Sequence, residues 1–136
     1  MRQLMEEYGT AILRLCLMML GDEPTAHRAA QRAFMLAARQ SNTPALTQIA
    51  RAALRACRRY APQAALLRFV RARSSFVSGE EANPLCGAVA LLPRRERAAV
   101  LLHDYLGLTL PQTAAALHVS RRRASRLLRR SHSRMA

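Results

Sequence analysis

Arginine is concentrated in one short stretch of the chain, where six of the ten residues from Arg121 to Arg130 are arginine. The planar guanidinium group suits two kinds of chemistry: bidentate binding of phosphate and recognition of guanine edges in DNA. Arginine in the first turn of a helix is opposed by the helix dipole. The cluster therefore indicates a negatively charged partner outside the fold, and the alternative is a solvated basic helix at the C-terminus.

The segment 108–130 has the sequence pattern of a helix-turn-helix, which would hold this cluster in place. Thr109 is a good N-cap for a first helix, and Pro111 suits its first turn. His118 lies where the chain must turn, in a position that allows a left-handed backbone. Ser120 then caps a second helix, predicted to run from about residue 121 to residue 132.

The second helix of this motif is predicted to have an apolar inner face and a basic outer face. Ala124, Leu127 and Leu128 recur at helical spacing and form the inner face. The outer face fits the major groove of DNA. Base edges would be read by Arg122, Ser125, Arg126 and Arg129. Phosphates would be held by Arg121, Arg123, Arg130 and the helix starts at Thr109 and Ser120.

The charge distribution agrees with a nucleic-acid-binding module at the C-terminal end. The chain has 136 residues and a formal charge of +14, and all 22 basic residues are arginine. Residues 93–136 hold 10 arginines against 2 acidic residues. A polyanion-binding module requires such a concentration of charge.

The rest of the chain predicts an all-α fold of two small helical modules joined by a linker, because β-branched runs and alternating patterns are absent. The N-terminal module (residues 1–60) contains predicted helices over 2–20, 24–40 and 44–60. Residues 61–83 are predicted to be a linker, with room for a short helix over 64–73 before a flexible segment rich in serine, glycine and glutamate. The C-terminal module (residues 84–136) has predicted helices over 85–92 and 94–105 before the helix-turn-helix. Each module is close to the lower size limit for independent folding.

The outer face of the third predicted helix carries four arginines, Arg51, Arg55, Arg58 and Arg59. This face is either solvated or a second DNA-contacting surface, and the sequence leaves both interpretations open. No interleaved aromatic residues accompany the arginines, which favours phosphate contacts over base stacking.

The pattern of reactive residues does not predict an enzyme. Cys16 and Cys57 lie on apolar helical faces and are predicted to be small core residues. No Cys/His spacing suggests a metal site, and no glycine-rich phosphate loop is present. We therefore expect no metal and no cofactor. The apolar run at 11–20 is too short to cross a membrane and no signal-peptide pattern precedes it, so we expect a cytoplasmic protein without membrane insertion.

The C-terminal motifs resemble those of extracytoplasmic-function sigma factors, the subunits that bring bacterial RNA polymerase to promoters. The family pattern is a leucine-proline before an arginine-rich helix, then Gly-Leu-Ser/Thr, Ala-x-x-Leu-x-Val-Ser and a basic helix. The matching residues are Leu92-Pro93, Arg95, Arg97, Gly107-Leu108-Thr109, Ala114, Leu117, Val119-Ser120 and Arg121 to Arg130. The resemblance implies that this module is domain four, whose recognition helix contacts the minus-thirty-five promoter box.

The N-terminal module resembles domain two of the same family. The matching residues are Tyr8-Gly9, Leu13, Leu17, Leu20-Gly21-Asp22, Ala26, Ala29, Gln31, Phe34, Ala37, Arg39, Leu46, Ile49-Ala50-Arg51 and Arg58-Arg59. The resemblance implies that this module binds core RNA polymerase, with Gln31, Phe34 and Arg39 at the contact. It also implies promoter DNA as a partner and an anti-sigma factor as a further candidate partner.

Some positions depart from the family pattern. His27, Arg28 and Arg32 stand where the family usually has acidic residues that help it dock on the polymerase. The family also has a tryptophan, an asparagine and an aspartate near and within the third helix. Here the best-matching positions are Ala45, Ala52 and Ala56. The sequence therefore leaves open whether the protein opens promoters.

Three functions are consistent with these observations. The first is a sigma-factor-like transcription initiation protein that binds core RNA polymerase and recognises promoter DNA. The second is a stand-alone helix-turn-helix regulator that never joins polymerase. The third is a general helical interaction protein, for which tight DNA binding would be hard to explain.

Overall fold

The computed structural model describes the backbone of residues 2–74, 89 and 91–135, and the side chains of residues 3–65, 89 and 91–135. Six α-helices make up this part of the chain, and it contains no strand, so the predicted all-α fold is confirmed. The helices are α1 (Arg2–Leu20), α2 (Glu23–Gln40), α3 (Leu46–Ser74), α4 (Arg94–Val100), α5 (Leu110–Leu117) and α6 (Arg121–Met135). A π-helical turn, Leu101–Tyr105, continues α4. No helix among the described residues is both long enough and apolar enough to cross a membrane.

Helices α1 and α2 meet at a tight corner that the sequence largely determines. Gly21 ends α1 with a φ of 72°, a left-handed conformation in which glycine has no steric penalty. Asp22 then caps α2, and its buried carboxylate accepts hydrogen bonds from the backbone amide and the hydroxyl of Thr25. The inner face of α2 recurs at helical spacing, and its residues Ala26, Ala30, Ala33, Phe34 and Ala37 are all buried.

The two cysteines of the N-terminal module lie in the core, as predicted. Cys16 on α1 is fully buried, and Cys57 on α3 is 1% exposed. A hydrogen bond with Cys57 and burial together raise the pKa of the Cys16 thiol far above its ordinary value. Cys16 therefore behaves as a small apolar residue and stays protonated at physiological pH.

Helix α3 differs from its prediction at both ends. It begins at Leu46 and not at residue 44, and the amide of Ala45 donates to Gln48 Oε1 at 2.9 Å in front of the first turn. The predicted end near residue 60 is wrong, because the helix continues through Pro62 to Ser74. Beyond the proline the chain is rich in helix-forming alanine, leucine and arginine, and Ala64 is fully buried. Packing of this kind outweighs the cost of the missing amide.

The first part of the predicted linker is therefore helical, whereas residues 75–83 lie outside the described residues. Most of the helix predicted over 85–92 also lies outside the described residues. The described residues of that segment include Val89 and Leu92, and both are buried. The division into modules at residues 61–83 stays a prediction.

The two modules pack against each other around one continuous hydrophobic core. Arg97 of α4 links them: its Nη1 donates to the carbonyl oxygen of Met19, at the end of α1, at 2.9 Å. Its Nη2 donates to the carbonyl oxygen of Leu92 at 3.0 Å. The last carbonyls of a helix lack partners within the helix, so a guanidinium group is well placed here. Helix α5 lies against α3, which places the helix-turn-helix beside the arginines of α3.

Candidate nucleic-acid interface

The helix-turn-helix forms where the sequence predicts it. Helix α5 ends at His118, whose φ of 62° and ψ of 46° confirm the predicted left-handed turn. The amide of Val119 donates to the carbonyl oxygen of Ala114 at 3.0 Å, which closes the end of α5. Ser120 begins the next helix, and its Oγ accepts a hydrogen bond from the amide of Arg123 at 3.1 Å.

A capping box fixes the start of α5. The amide of Gln112 donates to Thr109 Oγ1 at 3.2 Å, and the amide of Thr109 donates to Gln112 Oε1 at 2.9 Å. A hydroxyl that accepts from an amide can still donate its own proton. Thr109 and Ser120 are both exposed, so their hydroxyls can cap a helix and still donate to a phosphate.

Helix α6 has the two faces predicted for it. Ala124, Leu127 and Leu128 are buried, together with Ser131, whose Oγ donates to the carbonyl oxygen of Leu127 at 2.7 Å. Ser125 is half-buried beside the outer face. The exposed residues include all six arginines predicted to meet DNA: Arg121, Arg122, Arg123, Arg126, Arg129 and Arg130.

The C-terminal half of α6 presents a shallow basic patch. It is lined by Arg126, Arg129, Arg130, Ser133 and Arg134. Arg134 is held by Glu96, with Nε and Oε1 2.7 Å apart, and the Glu96 side chain is 7% exposed. The other three arginines have no carboxylate partner among the described residues, so their charge is available to an external anion.

The predicted second surface on α3 is exposed, but three of its residues face the C-terminal module. Arg51, Arg55 and Arg58 line a cleft of about 590 Å³ between the two modules. Arg51 Nη2 donates to Nδ1 of His118, in the helix-turn-helix, at 3.2 Å. Arg59 is also exposed and lies outside the cleft lining.

The three residues predicted at the polymerase contact differ in accessibility. Gln31 and Arg39 are exposed on α2, whereas Phe34 is 2% exposed and belongs to the core. Phe34 therefore supports α2 from inside and does not present its ring to a partner. Met35 is 45% exposed on the outer side, although the sequence reasoning did not single it out.

Tertiary contacts also give partners to histidines for which sequence spacing indicated none. His132 Nε2 donates to Asp104 Oδ2 at 2.7 Å, which ties α6 to the π-helical turn. His103 Nδ1 donates to the carbonyl oxygen of Leu108 at 2.9 Å. Among the described residues, no three His, Cys, Asp or Glu side chains cluster closely enough to hold a metal ion.

The comparisons with known proteins agree with this geometry. Residues 87–135 match the family model of sigma-70 region 4. No curated protein matches the sequence of the chain. One solved structure with a similar fold is that of CnrH in complex with the cytosolic domain of CnrY, with a TM-score of 0.72 and 19% sequence identity. The match covers 98% of this chain and 82% of that chain.

The whole chain thus shares the all-helical fold of CnrH. Residues 87–135 match sigma-70 region 4, so the resemblance seen in the C-terminal motifs is confirmed by the family model.

Proposed function

We propose that this protein is a transcription initiation factor that binds core RNA polymerase and directs it to promoter DNA. The observation that carries the proposal is the outer face of α6, where six exposed arginines follow the turn of a sigma-70 region 4. A helix with a basic outer face and a buried inner face can enter the major groove.

Recognition of the promoter is assigned to the outer face of α6. Arg122, Ser125, Arg126 and Arg129 would read base edges, because guanidinium groups pair bidentately with guanine. Phosphates would be held by Arg121, Arg123, Arg130 and the hydroxyls of Thr109 and Ser120. Arg51, Arg55, Arg58 and Arg59 form a second surface for the DNA backbone, which requires the cleft between the modules to open.

Polymerase binding is assigned to the N-terminal module, through Gln31 and Arg39 on the exposed side of α2. CnrH was solved in complex with the cytosolic domain of CnrY, and by analogy a protein partner, an anti-sigma factor, is a candidate for this chain. We place the protein in the cytoplasm, where polymerase and promoters are found, and we assign it no catalytic role.

A stand-alone regulator is the second candidate. It is favoured by the basic character of α2, where exposed His27 and Arg28 stand beside half-buried Arg32. Acidic residues would be expected on a polymerase-docking helix of this family. A regulator that binds as a dimer would protect two symmetric half-sites on its operator.

Gel filtration with the core RNA polymerase of the host, followed by transcription of fragmented genomic DNA, tests the proposal. We expect co-elution and new promoter-specific transcripts. These transcripts should disappear in the variant R126A/R129A and persist in R14A, which removes an exposed arginine of α1 that belongs to neither proposed interface.

Co-elution without transcripts would mean that the protein occupies polymerase without initiating transcription. DNA binding without co-elution would establish the stand-alone regulator. Either result would contradict the proposed initiation function.

A further inference from the structure

The cleft between the modules concentrates positive charge from three helices. Its walls carry Arg51, Arg55 and Arg58 of α3, Arg94 and Arg95 of α4, and Arg123 of α6. Among the residues that the structure describes, no aspartate or glutamate lines it. We call this feature the arginine cleft.

None of the six arginines has a carboxylate partner among the described residues. Carboxylates that do pair in the described residues pair elsewhere, as Glu23 does with His27, Asp104 with His132 and Glu96 with Arg134. Arg51 donates to the His118 ring nitrogen, which leaves the positive charge unneutralised. Like charges held this close repel each other, so an anion bound between them would relieve repulsion and bridge the modules.

The size and lining of the arginine cleft define the kind of anion. A volume of about 590 Å³ lies within the range of small-molecule sites, about 300–1,000 Å³. Apolar side chains from both modules, among them Leu54, Leu117 and Leu127, line it together with the arginines. Guanidinium groups bind phosphates bidentately, and an apolar surface accommodates a planar base.

We propose that the arginine cleft binds a compact anion with several linked phosphate groups, of the nucleoside polyphosphate class. A phosphate chain places its charges close together, where guanidinium groups from opposite walls can share them. An acidic helix, about 10–12 Å in diameter, would fit only one or two turns into this volume and would bring fewer charges. The bound anion would hold the modules together.

If the proposed function is right, an anion bound in the arginine cleft should compete with DNA for the protein. Arg51, Arg55, Arg58 and Arg123 are also assigned to DNA. An anion in the arginine cleft would neutralise them and keep the α3 surface closed, so it should compete with DNA. Binding of the anion itself does not depend on that function.

Isothermal titration of the full chain with adenosine triphosphate, inorganic triphosphate, adenosine and a poly-glutamate peptide tests the proposal. We expect one molecule of adenosine triphosphate per chain, weaker binding of inorganic triphosphate, and no binding of adenosine. The variant R55A/R94A should weaken binding by about tenfold or more, because it removes one guanidinium from each wall.

The control variant R14A/R28A removes the same charge from exposed positions outside the cleft and should change the affinity by less than about twofold. Circular dichroism and thermal unfolding would establish that both variants fold. Equal weakening in the two variants would show general attraction to a basic protein and overturn the proposal. Binding of the peptide alone would overturn it too, and would identify the cleft as a peptide site.

Discussion

At the scale of single residues, we propose two roles for the arginines of α6, base readout and phosphate binding. Arg126 lies on the outer face, between buried Ala124 and Leu127 in sequence, and points away from the core. Arg130 lies one turn further along the same exposed face and is proposed to hold a phosphate. The two residues have the same chemistry, so their positions alone distinguish base readout from phosphate binding.

Substitution of Arg126 by alanine should reduce discrimination at one base pair by about 1–3 kcal/mol, because a bidentate contact to a base would be lost. Substitution of Arg130 should weaken binding to all DNA alike and make the salt dependence shallower. Fluorescence anisotropy on promoter and random duplexes, at several salt concentrations, measures both effects. Equal loss on specific and random DNA in R126A would refute its role in base readout, and an unchanged salt slope in R130A would refute phosphate binding.

Thr113 is a second informative residue. It is fully buried in α5, and its Oγ1 has no hydrogen-bond partner within the described part of the chain. A buried hydroxyl without a partner costs about 1–3 kcal/mol, whereas valine has nearly the same shape and no polar atom. The substitution Thr113→Val should therefore raise the free energy of unfolding by about 1 kcal/mol in urea denaturation. A decrease of that size would mean that the hydroxyl makes a stabilising hydrogen bond in solution.

At the scale of elements, the caps decide where the helices of the helix-turn-helix begin. Ser120 Oγ accepts from the amide of Arg123, and the first turn of α6 contains three consecutive arginines that oppose the helix dipole. The Ser120 cap therefore stabilises the first turn of α6 against the unfavourable interaction between the arginines and the helix dipole. Bound phosphate would relieve this conflict, which links the local structure to the proposed partner.

Substitution of Ser120 by alanine should lower the free energy of unfolding by about 1 kcal/mol, the usual cost of losing an N-cap. Ser133, exposed on the same helix, is the matched control, and Ser133→Ala should change stability little. Denaturation followed by circular dichroism measures both variants. If S120A were as stable as S133A, the cap would not be what fixes the start of α6.

At the scale of the whole molecule, the N-terminal and C-terminal parts of the chain pack against each other and are not held apart by a linker. One core runs through both modules, α5 lies against α3, and Arg97 connects the end of α1 to the C-terminal module. Three of the four α3 arginines proposed to meet DNA therefore face the arginine cleft. The proposed promoter-bound state requires these modules to separate.

Substitution of Arg97 by alanine should weaken the packing of the modules, because the Met19 and Leu92 carbonyls would lose their donor. Hydrogen bonds from a charged group contribute about 1.5–3 kcal/mol each, and water replaces part of that, so we expect a loss of about 2 kcal/mol in the free energy of unfolding. Small-angle X-ray scattering should show a larger radius of gyration. The variant Arg97→Lys keeps the charge but cannot donate to both carbonyls at once. Its free energy of unfolding and its radius of gyration should lie between those of the wild type and R97A. A variant R97A with unchanged stability and size would contradict this role.

The sequence by itself determined the helices, their inner faces and the helix-turn-helix, because these follow from local chemistry. Caps such as Ser120, the left-handed turn at His118 and the 3.6-residue spacing of apolar residues act within a few positions along the chain. For the same reason the sequence identified the outer arginines of α6 as the candidate DNA surface. It failed at the end of α3, which was predicted near residue 60 but continues to Ser74.

Only the tertiary structure decided how the two modules lie against each other. The arginine cleft joins α3, α4 and α6, which are far apart in sequence, and no local pattern connects Arg55 with Arg94 or Arg51 with His118. Tertiary packing also decided that Phe34 of α2 belongs to the core and not to a partner surface. Charge and periodicity are local properties of the chain, whereas burial and proximity depend on every element that packs around a residue.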